Sequence, residues 1–415
     1  MRADLALAGG GGAAMVLLLQ VCRSRRQDAL AGAAGGRPRL QVVVVDPLDR
    51  LQLTPQDRTW CYWERTDPTA DTATSVLAPV VEHSWSSLVV HSPGRRTELD
   101  LAAAGMRYGM VRSAAFYAAV RSAVDDPAAG VVVRWVPERV AQVLDGERVA
   151  QVHTVTRRVE ATWVFDSTPP QPAPRARTAL LQHFRGVIVR TDALLDPGRA
   201  VLMDLRTPQP GQGLSFGYFL PLAADRALVE YTEFSPGRLD DAGYDAALGA
   251  YLDTVIGPQH RRTVEHTETG AIPMTDARCS TRAGARVFRI GTAGGATRAS
   301  TGYTFAAMHR QARGVAALLR AGQVPQPPPA YPARHRGIDG VLLRGLRTGR
   351  VDGTVFFPQL FEQNPLVRVL DFLDGATTRQ QELALMRSVP ALPMLLSGAS
   401  LALSFPRGRA ADQAG

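Results

Sequence analysis

Leu5 to Ala8 is a short apolar run that stops at four consecutive glycines, 9 to 12. Apolar positions then recur at helical spacing from Ala13 to about Arg23, and Leu40 to Val45 is a further apolar run. The order predicts strand, tight turn, helix and buried strand. Between helix and second strand, Gln27 to Pro38 is rich in Ala and Gly and reads as a loop insertion. Strands are also predicted at Ser87 to His91, Val131 to Trp135, Val140 to Val143, Val149 to Val155 and Thr162 to Phe165, the alternation from Val149 to Val159 suggesting a hairpin partner. Val187 to Arg190, Val201 to Leu205, Gly217 to Pro221 and Ala227 to Thr232 are spaced like an antiparallel sheet, and a helix follows over Asp240 to Val255. Arg286 to Ile290 is another buried strand running into glycines, and Thr304 to Ala321 has helical periodicity. Gln323 to Pro332 holds five prolines and reads as a linker. The remainder, Ile338 to about Phe405, is helical and apolar, interrupted by Pro390 and Pro393.

The glycine string changes this outline into a binding site. Gly9-x-Gly11-x-x-Ala14 between a strand and a helix matches the dinucleotide fingerprint. The first glycine permits the tight turn, the second lets the backbone approach a pyrophosphate, and the third small residue lets helix and sheet pack closely. Helix N-terminal N–H groups hold the phosphate charge. Asp46, directly after the second strand, is placed to accept a ribose hydroxyl, the loop insertion explaining its long spacing from the glycines. A second strand-to-glycine junction, Val287 to Gly295 with Gly291, Gly294 and Gly295, favours the longer FAD over NAD.

A chain of 415 residues with 45% hydrophobic residues can bury a large core and exceeds one ordinary domain. The expected fold is α/β (α+β): a Rossmann-like FAD-binding domain, an interleaved antiparallel-sheet substrate domain and a helical C-terminal cap. The expected division is 1–60, 105–170 and 280–322 for the flavin domain, 61–104 and 171–279 for the substrate domain, and 333–405 for the cap. The formal charge is +9, and Arg supplies all 47 basic side chains. Because these are scattered among acids with no aromatic-interleaved basic run, nucleic acid is not an expected partner, whereas an anionic membrane surface is. Cys22, Cys61 and Cys279 are far apart and form no CxxC, so neither a disulfide framework nor a metal site is expected, and a reducing cytoplasm fits. Asp4 and the glycines argue against a signal peptide. No stretch reaches the roughly 18 apolar residues of a membrane span.

Several local strings point to a family. Beside Gly9 to Ala14 stand Arg58-Thr59-Trp60-Cys61-Tyr62-Trp63-Glu64, Met203-Asp204, Gly217 to Leu222, Leu228-Val229-Glu230-Tyr231-Thr232-Glu233, Gly270-Ala271-Ile272-Pro273-Met274 and Arg298 to Phe305. In these strings, their order and their spacing, the sequence resembles the bacterial lycopene β-cyclases over most of its length. The resemblance implies a flavoprotein isomerase of carotenoid biosynthesis that turns the ψ-ends of lycopene into β-ionone rings without net redox. It further implies reduced FAD as the active cofactor and NAD(P)H-dependent reduction of the flavin. Such chemistry needs a proton delivered to an unactivated alkene, so a carboxyl kept neutral by burial suits it. Anionic reduced flavin would stabilise the cation.

The family's acidic motif falls on Glu230, the expected general acid. Members often carry two adjacent acids, whereas Tyr231 takes the second place here, which leaves a paired-carboxylate mechanism in doubt. Glu233, at an odd spacing from Glu230, should face away and form a surface salt bridge, unless the strand bends. Tyr303, Thr304 and Phe305 are placed to line a flavin or polyene pocket. Trp60, Tyr62, Trp63 and Trp85 are candidate cation-stabilising walls or core packing, and Asp204 is either catalytic or a turn cap. Lycopene resides in membrane, so the apolar, proline-broken segment from Ala391 to Leu403, followed by Arg407 and Arg409, is expected either to lie in the interface at the inner face of the cell membrane or to close the fold. The alternative is a redox flavoenzyme of the same fold, a monooxygenase or prenyl reductase. Those commonly place Asp in the second glycine turn, where Thr292 stands here.

Overall fold

The computed structural model describes residues 1–32, 38–52, 57–67 and 72–404. Part of the expected Gln27 to Pro38 loop, together with Phe405, Arg407 and Arg409, lies outside these residues.

Leu5 and Leu7 pack on one side of the first strand and Ala6 and Ala8 on the other, so Arg2–Ala8 is buried on both faces. That two-sided burial is why its C-terminal half reads as an unbroken apolar run. It is central in a sheet ordered Val131–Val136, Leu40–Val45, Arg2–Ala8, Arg158–Asp166, all parallel. The last of these strands is shared along its outer edge. Its first half takes the hairpin Gln142–Leu144 and Ala150–His153 antiparallel, and its second half takes Val287–Arg289 parallel. Both predicted glycine junctions therefore leave the sheet from its carboxyl edge, where dinucleotide ligands bind in open α/β sheets.

The helix Gly12–Leu30 is apolar nearly all round, with Met15 to Leu19 all buried. Such a helix belongs inside, and it packs against helices Ser113–Asp125 and Phe305–Arg320. It runs seven residues past the expected end at Arg23, because tertiary partners hold the polar last turns. Arg25 donates to the carbonyls of Ala129 and Pro38, and buried Asp28 pairs with Arg320 at 2.7 Å.

The second large sheet is ordered Arg262–Thr275, Ala179–Thr191, Arg226–Ser235, Leu214–Ala223, Arg199–Asp204, Ser87–Ser92, Arg95–Asp100. Its pairs are antiparallel except Arg199–Asp204 with Ser87–Ser92. The strand Arg262–Thr275 has no counterpart among the predicted elements. It is an edge strand whose first half, Thr-Val-Glu-His-Thr-Glu, is largely exposed and lacks an apolar face. One face of this sheet is covered by helix Asp241–Val255. The other lies under a three-stranded sheet, Thr59–Arg65, Met106–Arg112, Val81–Trp85, and under the C-terminal helices. The small sheet takes strands from both sides of the expected boundaries at 60/61 and 104/105.

The cap comprises helices Ala333–Arg347, Gly353–Glu362, Leu366–Leu373, Arg379–Arg387 and Ala391–Ala402. Arg298, in the loop after the second glycine turn, is fully buried and anchors the cap. Its guanidinium makes a two-pronged pair with Asp339 (2.8 and 2.9 Å), donates to the Phe372 carbonyl and lies 4.7 Å over the Phe372 ring. An Arg buried this completely requires such saturation of its donors.

Candidate active site

The first glycine turn has an open side and a closed side. Gly9 has φ of +87°, and a Cβ there would stand 2.5 Å from the Ser167 hydroxyl, so only glycine fits. At Gly10 a Cβ would collide with Trp135 and Asp46, whereas at Gly11 it would meet nothing within 4 Å. Gly11 begins the helix without a side-chain cap, leaving first-turn N–H groups for an external acceptor. Ala14 is fully buried against the sheet. The Asp46 carboxylate accepts from the Gly10 N–H at 2.8 Å and the Leu48 N–H at 2.9 Å, which fixes it beside the turn with lone pairs to spare.

Gly291, at φ +62°, stands so close to the first turn that a Cβ would lie 2.7 Å from that of Ala13. Gly294 folds back on the Arg289 carbonyl, and Gly295 closes the short Gly291–Gly294 turn at φ +76°. The two glycine turns, separated by about 280 residues of a 415-residue chain, thus meet at one point. These features fit a dinucleotide: an open approach at Gly11, uncapped N–H groups and an acid at the second strand's end.

Beside them lies a wall of aromatic rings. Trp60 covers Gly12 and stacks on Phe305 with centroids 4.9 Å apart, and Tyr62 lies 5.9 Å from Phe305. Trp63 meets Tyr303 edge-on at 4.6 Å. Cys61, Trp63, Tyr303, Phe305, Tyr331 and Asp374 contribute to a narrow cleft between the small sheet, the second turn and the cap. Trp85, by contrast, is fully buried and donates its indole N–H to the Pro221 carbonyl, so it is core.

The cleft borders the inner face of the second sheet. Tyr218, Glu230, Gly186 and Glu268 lie side by side on four adjacent strands, and residues in such register share a face. Gly186 supplies the room: a Cβ there would stand 3.4 Å from Cβ, Cγ and Oε2 of Glu230. Glu230 is half-buried on this face, with protein packed around its carboxyl. Burial pushes its carboxyl up to about 8, the neighbouring Glu268 adds to this, and the Thr232 hydroxyl, 2.7 Å away, opposes it. Buried Tyr303 is pushed up to about 12, so it stays a neutral phenol.

Glu268 lies outside the candidates drawn from the sequence. Burial holds it above its ordinary value too, although the Thr59 N–H that it accepts at 2.9 Å and the nearby Arg112 pull the other way. Its nearest sequence signal is Gly270 to Met274, two residues downstream.

The two other candidate acids, Glu233 and Asp204, face the far side of the sheet. Glu233 is on the opposite face, as its spacing from Glu230 requires, yet it is buried and not in a surface salt bridge. Tyr231 donates to it at 2.8 Å and His183 lies 3.4 Å away. Asp204, fully buried, shares that face. It accepts from the Arg206 backbone N–H and from its guanidinium at 2.8 and 2.6 Å, so it closes a turn and does not line the cleft.

The fold and the paired glycine turns define a protein of Rossmann-type dinucleotide-binding architecture. Solved structures with this fold include a geranylgeranyl bacteriochlorophyll reductase-like protein from Thermoplasma acidophilum (11% identity, TM-score 0.56, covering 96% of this chain and 99% of that one). The flavin-dependent monooxygenase PieE, in complex with FAD and substrate, matches at 13% identity and TM-score 0.56 over 94% of this chain and 71% of that one. The p-nitrophenol 4-monooxygenase PnpA from Pseudomonas putida matches at 14% and 0.53 over 99% of both. No curated protein matches the sequence. The family description "lycopene cyclase protein" matches residues 4–399, and the chain belongs to the lycopene cyclase family.

Proposed function

We propose that this enzyme closes the ψ-end or ends of lycopene into β-ionone rings by proton-initiated, non-redox cyclisation, with reduced FAD bound across the two glycine turns. The observation that carries the reading is the place of Glu230, in register beside Tyr218 and Gly186 on the sheet face toward the aromatic wall, with its carboxyl pushed up to about 8 by burial.

Glu230 acts as general acid. It donates its proton to the terminal alkene, the tertiary cation is attacked by the next double bond, and the ring closes. Rings of Trp63, Tyr303 and Tyr218 offer π-faces to the cation and exclude water that would trap it. Gly11 and the first helical turn would hold the pyrophosphate, and Asp46 a ribose hydroxyl. When bound, reduced FAD supplies negative charge that stabilises positive charge in a dry site. The fold's redox relatives are 11–14% identical to this chain and share its architecture.

We also place the enzyme on the inner face of the cell membrane. Leu392, Leu395, Leu396 and Leu403 are between 52% and 83% exposed and recur along one side of helix Ala391–Ala402 and its end. The other side packs on the cap, with Ser397 and Leu401 against Gly345 and Gly340. A half-buried helix with a leucine stripe suits an interface. Among the described residues no single helix is long and apolar enough to span a bilayer. Replacing Leu395 and Leu396 by Glu should lower affinity for anionic vesicles on the order of 100-fold, since each loses about 1.5 kcal/mol or more of burial. Unchanged vesicle binding rejects this docking face.

The decisive assay supplies lycopene in liposomes with the flavin reduced and oxygen absent. A cyclic carotene formed without nicotinamide consumption is expected. Unchanged lycopene, with flavin reoxidation coupled to another product, overturns the reading.

A further inference from the structure

The cyclase reading accounts for the first proton and leaves open what removes the last one. The row Glu230–Gly186–Glu268 offers a base. Glu268 is 8% exposed, shares the face and the register of Glu230, and is separated from it by a residue with no side chain. The two carboxyls are held differently. Glu230 receives a single hydroxyl, from Thr232. Glu268 receives the Thr59 backbone N–H, and the Thr59 hydroxyl in turn takes a donor from Arg112 at 3.1 Å. A backbone donor and a nearby guanidinium favour the anion, whereas a buried carboxyl with neither favours the acid. Thr59 precedes Trp60, which covers Gly12, so Glu268 lies on the flavin side of Glu230.

Resting on that cyclase reading, we propose that Glu268 is the catalytic base of ring closure, paired across Gly186 with the acid Glu230, and that the two carboxyls hold one proton between them. The proton of Glu230 adds to the terminal alkene, whose electron pair forms the new C–H bond. The next alkene attacks the resulting tertiary cation, forming the ring C–C bond and leaving a second tertiary cation on the ring. Glu268 carboxylate takes a proton from the adjacent ring carbon, and the C–H electrons become the ring double bond. The proton count of the pair is unchanged, the proton having moved from Glu230 to Glu268, and its return resets the site. The second acid that adjacent positions 230 and 231 fail to provide thus comes from another strand.

The test is Glu268→Gln in full-length enzyme with reduced flavin and lycopene in liposomes, beside wild type and Glu230→Gln. Gln keeps an oxygen for the Thr59 N–H, and flavin content reports the fold. With wild type active, E268Q should form the wild-type ring about 100-fold more slowly, the usual scale of a lost acid or base. Consumed substrate should divert to ring isomers or to a tertiary alcohol from water capture, products that a merely structural role would not yield. E230Q should consume no lycopene. If E268Q makes the wild-type product within about twofold of the wild-type rate, the base assignment is wrong while the cyclase reading stands; an inactive wild type fails the cyclase reading instead. Should E268Q bind no flavin, Glu268→Asp, which retracts the carboxylate by one methylene, decides by the same product analysis.

Discussion

The two faces of the second sheet each bury acids and treat them in opposite ways. Toward helix Asp241–Val255, Asp204 is saturated by Arg206, and Glu233 by Tyr231 and His183. Burial alone would raise Glu233, but these donors outweigh it and hold the carboxyl below its ordinary value. Toward the small sheet and cap, Glu230 has one hydroxyl and a second carboxylate for company, and it rises to about 8. Burial pushes both Glu230 and Glu233 upward, and the partners set the outcome: donors bring Glu233 below its ordinary value, while a neighbouring carboxyl adds to the rise of Glu230.

The sharpest way to break this contrast is Glu230→Gln, which removes the proton and keeps the shape. Ring closure should fall by about 1,000-fold or more, measured as cyclic carotene per flavin; a near-normal rate would falsify the acid assignment. On the other face, Arg206→Met leaves Asp204 buried without its cation. It should lower stability by about 3 kcal/mol in denaturant melts, with turnover per folded molecule unchanged; lost turnover at full stability would make Asp204 part of the active site.

The pH profile separates the faces next. With Glu230 as the proposed acid, activity should hold at neutral pH and drop tenfold per pH unit above about 8, a limb seen in kcat. Its folded value lies above the ordinary 4.5, so the stability it contributes is fully present below 4.5 and is lost as pH rises through about 8. E230Q should flatten that part of the stability curve. Glu233 has the opposite sign: its contribution is present above its ordinary value and fades as pH falls through its lowered folded value. An acidic stability loss that survives Glu233→Gln removes Glu233 from the account. The smallest effect is expected for Thr232→Val. Without the hydroxyl that favours the charged form, the alkaline limb should move to higher pH, with the rate at pH 7 within about twofold; a limb moving the other way would show that Thr232 serves the neutral acid.

Much of the flavin fold was legible because its signals are local. The Gly9 to Ala14 string, the two-sided apolar runs and the periodicity of Thr304 to Ala321 each lie within one stretch of chain. Glu230 was legible through resemblance and its alternation with Glu233. The strand Arg262–Thr275 was not, since an edge strand with a polar half carries no apolar alternation, and with it Glu268 stayed hidden. The surface role expected of Glu233 failed for a related reason: the helix that follows it was legible, but nothing in the sequence says that it folds back over that face.

Sequence alone determined which residues can make the chemistry: glycines where backbone must approach a phosphate, and a glutamate whose strand neighbours are apolar. Tertiary structure decided the environment of each acid. Register across three strands set Glu268 beside Gly186 and Glu230, because a pairing slipped by one residue would turn either carboxyl to the other face. The meeting of Gly291 with Ala13, and of Thr59 with Glu268, joins segments hundreds of residues apart, and only the folded chain brings such groups within hydrogen-bond reach.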